Sequence, residues 1–200
     1  MGAISEADAI YHGTKVADKV YQGSTLVWQR ETIVEKTWSD YADWSMDYAG
    51  DSSQRNGDYL YYGQVSSTWG NNRSLIGFPV PAEVEDCLEI VSARLRFYNV
   101  HHYLNDGGDI EIGTHKHSAM PATWMNEYVD QGLVTWGDAP KPGWVDLTLN
   151  STMRAKFKAG AQGIALGPGP STSTSYYGYA HKHTSASYKP WLQIVYKVMA

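Results

Sequence analysis

The chain is poor in the residues that build disulfide frameworks, exposed helices and basic interaction surfaces. A single cysteine, Cys87, occurs in the 200 residues, which excludes an intramolecular disulfide and a thiolate metal cage, so stability rests on packing. Cys87 is expected to be a small buried hydrophobe. Charged residues make up only 18%, below the roughly 25% usual for globular domains. In their place stand 15 Tyr, 8 Trp and 19 Gly, a composition that points to β structure. The balance of 16 Lys and Arg against 21 Asp and Glu gives a net charge of −5. With no basic run anywhere, neither nucleic acid nor an anionic membrane is an expected partner. No stretch approaches the ~20 apolar residues of a membrane-spanning helix, so membrane insertion is not expected either. Met1 to Asp8 carries neither a basic nor an apolar run, which reads as a chain assembled in the cytoplasm.

What is present is organised by turns. Residues 10 to 28 hold a tandem repeat, in which Ile10-Tyr11-His12-Gly13-Thr14-Lys15-Val16 is echoed by Val20-Tyr21-Gln22-Gly23-Ser24-Thr25-Leu26-Val27 and closed by Trp28. Each unit reads as strand, turn and strand, with an aromatic for cross-strand packing and a glycine for the tight turn. Two hairpins of this size bury too little to fold alone. Residues 1–30 are therefore expected to be an attachment or oligomer-contact segment, and 31–200 a separate domain; an ordinary β extension of that domain is the competing reading.

From Glu31 onward, short alternating runs lie between Gly, Asn, Asp and Ser clusters, the pattern of an all-β sandwich. The clearest run is Val91 to Tyr98, where Val91, Ala93, Leu95 and Phe97 share one face and Ser92, Arg94 and Arg96 the other. Leu75–Phe78, Ile110–Gly113, Trp144–Thr148, Gly163–Leu166 and Trp191–Tyr196 read similarly, for about eight strands in all. One short helix is expected over Thr152–Ala159, capped by Asn150 or Ser151 and ended by Gly160, with Met153 and Phe157 on its buried side. A further helical turn fits Pro81–Asp86. Residues 167–175, rich in Gly, Pro and hydroxyls, read as an exposed loop.

The blocks Arg73–Pro81, Ser92–Tyr98, a Trp124 and Trp136 pair, Gly143–Thr148 and Pro190–Tyr196 follow one another in an order that resembles the DNRLRE-type domains, β-sandwiches related to carbohydrate-binding modules. The resemblance covers residues 31–200 and implies a jelly roll. The repeat at 10–28 is similar to a Tyr-x-Gly-x-x-x-Val segment of minor tail proteins of tailed bacteriophages. Together the two resemblances imply a structural component of a phage virion, a minor tail or tail-tip protein located in the tail. Its expected partners are other tail proteins and a host-surface glycan. The alternative is a glycan-binding module of a cellular surface protein.

Two His-Lys-His triplets, His115–His117 and His181–His183, are the sharpest chemical feature. On a strand, residues i and i+2 face the same way, so the pairs His115 with His117 and His181 with His183 are candidate ligands for a structural metal ion. Such an ion would be completed either on the three-fold axis of a trimer or by the two triplets meeting on adjacent strands. The preferred reading is a solvated strand face, because no carboxylate or thiolate is tied to the triplets. No other cofactor is expected. Asp47, Asp51, Asp58, Asp106 and Asp109 read as turn residues rather than Ca²⁺ ligands, since no spacing matches a dedicated loop. Trp69, Tyr176, Tyr177 and Tyr179 are the candidate glycan contacts, because they flank Ser- and Gly-rich loops and a pyranose ring suits a flat apolar face with a polar tip. Core and cross-strand pairing is the competing role for these aromatics and for Tyr59, Tyr61 and Tyr62. No nucleophile elbow, zinc-protease helix or phosphate loop occurs, and no enzymatic activity is expected.

Overall fold

The computed structural model describes residues 11–12, 15–22, 24–49, 53–55, 57–66, 70–102, 110–123, 142–167 and 177–200. At the N-terminus, β1 (Tyr11–His12) pairs with β2 (Lys15–Val16), and β3 (Lys19–Gln22) with β4 (Thr25–Gln29). The tandem repeat is thus two hairpins. In each, two residues separate the paired ends, His12 from Lys15 and Gln22 from Thr25. The two turn glycines, Gly13 and Gly23, lie outside the described residues. Each hairpin is a two-stranded sheet of its own, separate from the large one.

The rest is an antiparallel sandwich. Its elements in chain order are β5 (Ile33–Tyr41), β6 (Trp44–Ala49), β7 (Ser53–Arg55), β8 (Tyr59–Ser66), β9 (Gly70–Gly77), α1 (Ala82–Glu85), β10 (Glu89–His102), β11 (Glu111–His115), β12 (Gly143–Thr148), α2 (Ser151–Lys158), β13 (Gly163–Gly167), β14 (Gly178–His181) and β15 (Trp191–Met199). The back layer runs β11-β13-β9-β6-β7. In the front layer, β10 pairs with β12 on one side and with both β15 and β14 on the other, because Arg94–Arg96 and Asn99 each have partners in two strands. β14 and β15 therefore lie end to end as one interrupted strand. Their far sides pair with β8 and β5 respectively. β8 leaves this layer at Gly63, whose φ of 79° turns the chain to pair with β9 of the back layer.

Leu95, Phe97, Leu192 and Ile194 of the front layer and Ile76, Ile112, Ile164 and Leu166 of the back layer form one core. Asn150 caps α2 by accepting from the Met153 amide, Gly160 ends it at φ +88°, and Met153 and Phe157 are buried as the spacing predicts. α1 supplies the further helical turn. Cys87 is buried and free. The long strand β10 departs from expectation at one point. A bulge between Ile90 and Ser92 gives the core position to Ile90 and leaves Val91 half-exposed. Among the described residues no helix is long and apolar enough to cross a membrane. Residues 168–175 of the Gly- and Pro-rich loop and the Trp124 and Trp136 pair lie outside the described residues.

The interruption between β14 and β15 is anchored from inside. Lys182, next after β14, is buried and places its Nζ 3.1 Å from Oδ1 of Asp47 on β6, while Arg55 Nε on β7 stands 3.8 Å from Oδ2. Burial pushes the Asp47 carboxyl above its ordinary value; Lys182, then Arg55, pull it back in part. Because the folded value is raised, this carboxyl contributes stability in acid that is lost as pH rises through the raised value. Removing the cation exposes the cost of the buried carboxylate. Lys182→Met is expected to destabilise the protein by about 3–5 kcal/mol near neutral pH, to be read from the midpoint of urea unfolding. A change below 1 kcal/mol would show that Arg55 and solvent already compensate Asp47.

Candidate functional site

The outer face of the front layer carries the candidate site, and strand register assembles it. Asp146 of β12, Arg96 of β10, Trp191 of β15 and Tyr41 of β5 stand opposite one another in a single row. Period-two alternation sends all four outward while Leu95, Val145 and Leu192 go inward. Trp144, one outward step along β12, is crossed by Arg96, whose guanidinium carbon lies 4.2 Å from the centre of the Trp144 ring. Arg94 holds Asp146 through two parallel hydrogen bonds, Nε to Oδ1 at 2.5 Å and Nη2 to Oδ2 at 2.6 Å. The carboxylate partner holds Arg94 above the usual arginine range.

The segment between β14 and β15 makes this face concave. Ala186, Ser187 and Lys189 rise beside the row and enclose a cavity of about 550 Å³ with Tyr41, Arg94, Arg96, Trp144, Asp146 and Trp191. That volume suits a small ligand. Three cations and one carboxylate line it, a local excess of two positive charges on a chain of net charge −5. Tyr188 of the same segment lies on Tyr98, with ring centres 4.1 Å apart.

From the cavity an aromatic band crosses the sheet. Trp144 meets Tyr98 edge-on at 5.4 Å, and Tyr188 stacks on His181 at 4.7 Å. His181 then adjoins Tyr59 at 5.5 Å, and Tyr59 adjoins Tyr179 at 4.9 Å. Beyond it, Tyr179 contacts Tyr61 and His101, and Tyr61 stacks parallel on Tyr177 at 6.3 Å. Burial pushes the Tyr177 hydroxyl up to about 12. Of the expected glycan contacts, Tyr177 and Tyr179 thus sit half-exposed in this band with rings turned partly to each other. Trp69 and Tyr176 lie outside the described residues. Tyr62 faces the opposite way, fully buried, its hydroxyl donating to Asn99 Oδ1 at 3.0 Å.

The structure gives the His-Lys-His triplets other partners within the chain. Both begin at the last residue of a strand, so the second histidine of each lies beyond the strand, although the His115 and His117 ring centres still stand 5.7 Å apart. His115 is buried with both ring nitrogens engaged, Nε2 with Ile76 O at 3.0 Å and Nδ1 accepting from the His117 amide at 3.2 Å. His181 belongs to the aromatic band. His183 contacts Ser45 Oγ through Nδ1 at 2.9 Å while its amide donates to the same oxygen. Ser45, itself buried, is an anchor for the chain after β14. Among the described residues no three His, Cys, Asp or Glu side chains come together to hold a metal. Nor is the second triplet a solvated face, since Lys182 is buried against Asp47. Asp47 accordingly is no turn residue; Asp51, Asp106 and Asp109 lie outside the described residues.

Glycines explain how His115 is covered. Trp44, Gly77, Gly163 and His115 form one row across β6, β9, β13 and β11, about 14 Å end to end at the usual strand spacing. Yet the Trp44 and His115 rings meet with centres 5.2 Å apart, because they lean inward over the two glycines. A Cβ on Gly77 would lie 2.1 Å from the Trp44 ring, and one on Gly163 2.3 Å from His115 Nε2. Beside them Met46, Tyr48, Leu75 and Ala165 form a second apolar cluster on the outside of the back layer. The segment holding Pro121 is tied to it, as Pro121 O accepts from Tyr48 Oη at 2.8 Å and Gln54 Nε2 at 2.7 Å.

Sequence reasoning missed Tyr41, Trp144, Trp191, Arg94, Arg96, Asp146 and Lys189 as a group. A usable signal was present: in Trp144-Val145-Asp146-Leu147 and Trp191-Leu192-Gln193-Ile194 the alternation that buries the aliphatics must turn both tryptophans outward. Comparison of the sequence with protein-family models and with curated proteins finds no match.

Burial lowers the His115 imidazole to about 4, so it is neutral at pH 7. A base depressed in the folded state gives stability that is present above its unfolded value and lost as pH falls. Folding stability should therefore drop by on the order of 3 kcal/mol between about pH 6.5 and pH 4. His115→Gln should remove that part of the acid limb in denaturant titrations across this window. An unchanged acid limb in the variant would place the titrating group elsewhere.

Proposed function

We propose that the chain is a non-enzymatic structural component of a bacteriophage virion, a minor tail or tail-tip protein whose sandwich contacts a host-surface glycan. The observation that carries the glycan contact is the cavity in which Tyr41, Trp144 and Trp191 stand beside the Arg94–Asp146 pair. Aromatic faces offer the flat apolar surface that a pyranose stacks on, and ion-paired side chains held in one geometry offer fixed donors and acceptors for its hydroxyls. The excess of cations from Arg94, Arg96 and Lys189 over Asp146 favours a saccharide that carries negative charge. The resemblance of the Tyr-x-Gly repeat to phage minor tail proteins supports the virion assignment, and its two separate hairpins suit an attachment element. A glycan-binding module of a cellular surface protein would use the same cavity and differ in what residues 1–30 attach to.

Two experiments test the two halves. Trp144→Ala, Trp191→Ala and Arg96→Ala should each weaken adsorption to host cells about 10- to 30-fold, or about 1.4–2 kcal/mol. They should cost well under the ~3–5 kcal/mol typical of a buried aromatic truncation. Adsorption unchanged in all three would exclude the cavity as the contact. Deleting residues 1–30 should leave the melting temperature of the sandwich within a few degrees and abolish incorporation into particles, as read by immunoblot of purified virions. Absence of the intact chain from virions would favour the cellular module instead.

A further inference from the structure

We propose that Lys182 and Asp47 condense spontaneously to an intramolecular isopeptide bond that ties the break in the front layer to β6 of the back layer. The pair is placed as such a reaction requires. Nζ of Lys182 lies 3.1 Å from Oδ1 of Asp47, both side chains are buried, and Arg55 stands 3.8 Å from the other oxygen, Oδ2. Held at contact in a rigid core, the two groups react as if at very high concentration.

The atoms balance within the pair. One ammonium proton passes to Oδ1, giving a neutral amine and a neutral carboxylic acid, a state that burial favours and toward which the raised Asp47 carboxyl already leans. The Nζ lone pair attacks Cγ. Negative charge then develops on Oδ2, beside the Arg55 guanidinium, which stabilises it. A second proton moves from nitrogen to the Oδ1 hydroxyl, and Oδ1 leaves as water. The third proton stays on the amide nitrogen, where the Arg55 carbonyl, 3.3 Å from Nζ, is placed to accept it. In water the ion pair would be the favoured state. Here condensation removes two charges from a buried site, and the desolvation cost of holding them there drives the bond forward. A chain with one cysteine gains by this route the covalent link that a disulfide cannot supply.

Intact mass spectrometry of the purified full-length chain under denaturing conditions tests the bond. The expected result is a mass lower by one water than the sequence requires after the same N-terminal processing. A digest should yield one branched peptide joining the segments that contain Asp47 and Lys182. Lys182→Arg should restore the full sequence mass. Asp47→Asn, which presents an amide to the same amine, should lose one ammonia instead. These readouts do not depend on the variants folding well, since the wild-type mass alone decides. A wild-type mass equal to the sequence, with no branched peptide after prolonged incubation at 37 °C, would overturn the proposal and leave a buried ion pair.

Discussion

The contact between Lys182 and Asp47 organises the face on which the candidate site is built. β14 and β15 are collinear along one side of β10, and a continuous strand there would leave the outer face of the front layer flat. Instead nine residues, 182–190, leave the ladder between them. A break in a central strand frees backbone donors and acceptors and costs packing, so it persists only where other contacts define it. Lys182 fixes its start from inside the sandwich, Ser45 receives the His183 amide, and Pro190 O accepts from the Ala42 amide at 2.9 Å where β15 begins. With both ends fixed, the middle of the segment projects outward, sets Tyr188 on Tyr98 and brings Lys189 to the cavity. A buried ion pair contributes little net stability over a pair of well-packed apolar side chains in its place, although loss of one partner alone is costly. Its value here is positional, because no apolar side chain would demand the one location opposite Asp47.

The back layer solves the complementary problem of covering its own outer face. In a two-layer sandwich that face normally meets water, yet Met46, Tyr48, Leu75 and Ala165 are buried on it. The cover is local, made of the Trp44 and His115 rings laid over Gly77 and Gly163 and of the segment around Pro121. This explains why His115 is spent structurally. Its ring is wanted for its shape and for one donor and one acceptor, and a neutral imidazole provides these where a cation would not survive burial.

Legibility in the sequence followed the range of the interactions involved. Alternation in Ala93, Leu95 and Phe97, the Asn150 cap of α2 and the two-residue turns of the hairpins are local features, and each was readable. The Ile90 bulge was not, since it depends on how β15 pairs. The second His-Lys-His triplet departs from the solvated-face reading for the same reason. Its spacing is that of a strand face, but the chain leaves the ladder where Lys182 meets Asp47 and His183 meets Ser45, partners that lie more than a hundred residues away in sequence. The cavity was half legible. Outward-facing Trp144 and Trp191 follow from alternation, whereas their convergence with Tyr41 and Lys189 depends on strand order and on the interruption.

The charge distribution supplies a last constraint on the proposed glycan contact. A chain of net charge −5 would repel an acidic polymer at long range, and beyond about 8 Å salt screens that repulsion. Inside the cavity the sign reverses, with Arg94, Arg96 and Lys189 outnumbering Asp146. Asp146 does not cancel this field so much as shape it: it engages Arg94 from one side through two hydrogen bonds, while Arg96 lies against the Trp144 face. Both guanidinium groups are thereby oriented before any ligand arrives, which lowers the ordering cost of binding. An acidic saccharide would therefore be held by short-range geometry rather than drawn in by the whole protein. In the proposed virion component such a contact would be strengthened by presentation of several copies on one particle, with no added contact in the cavity itself.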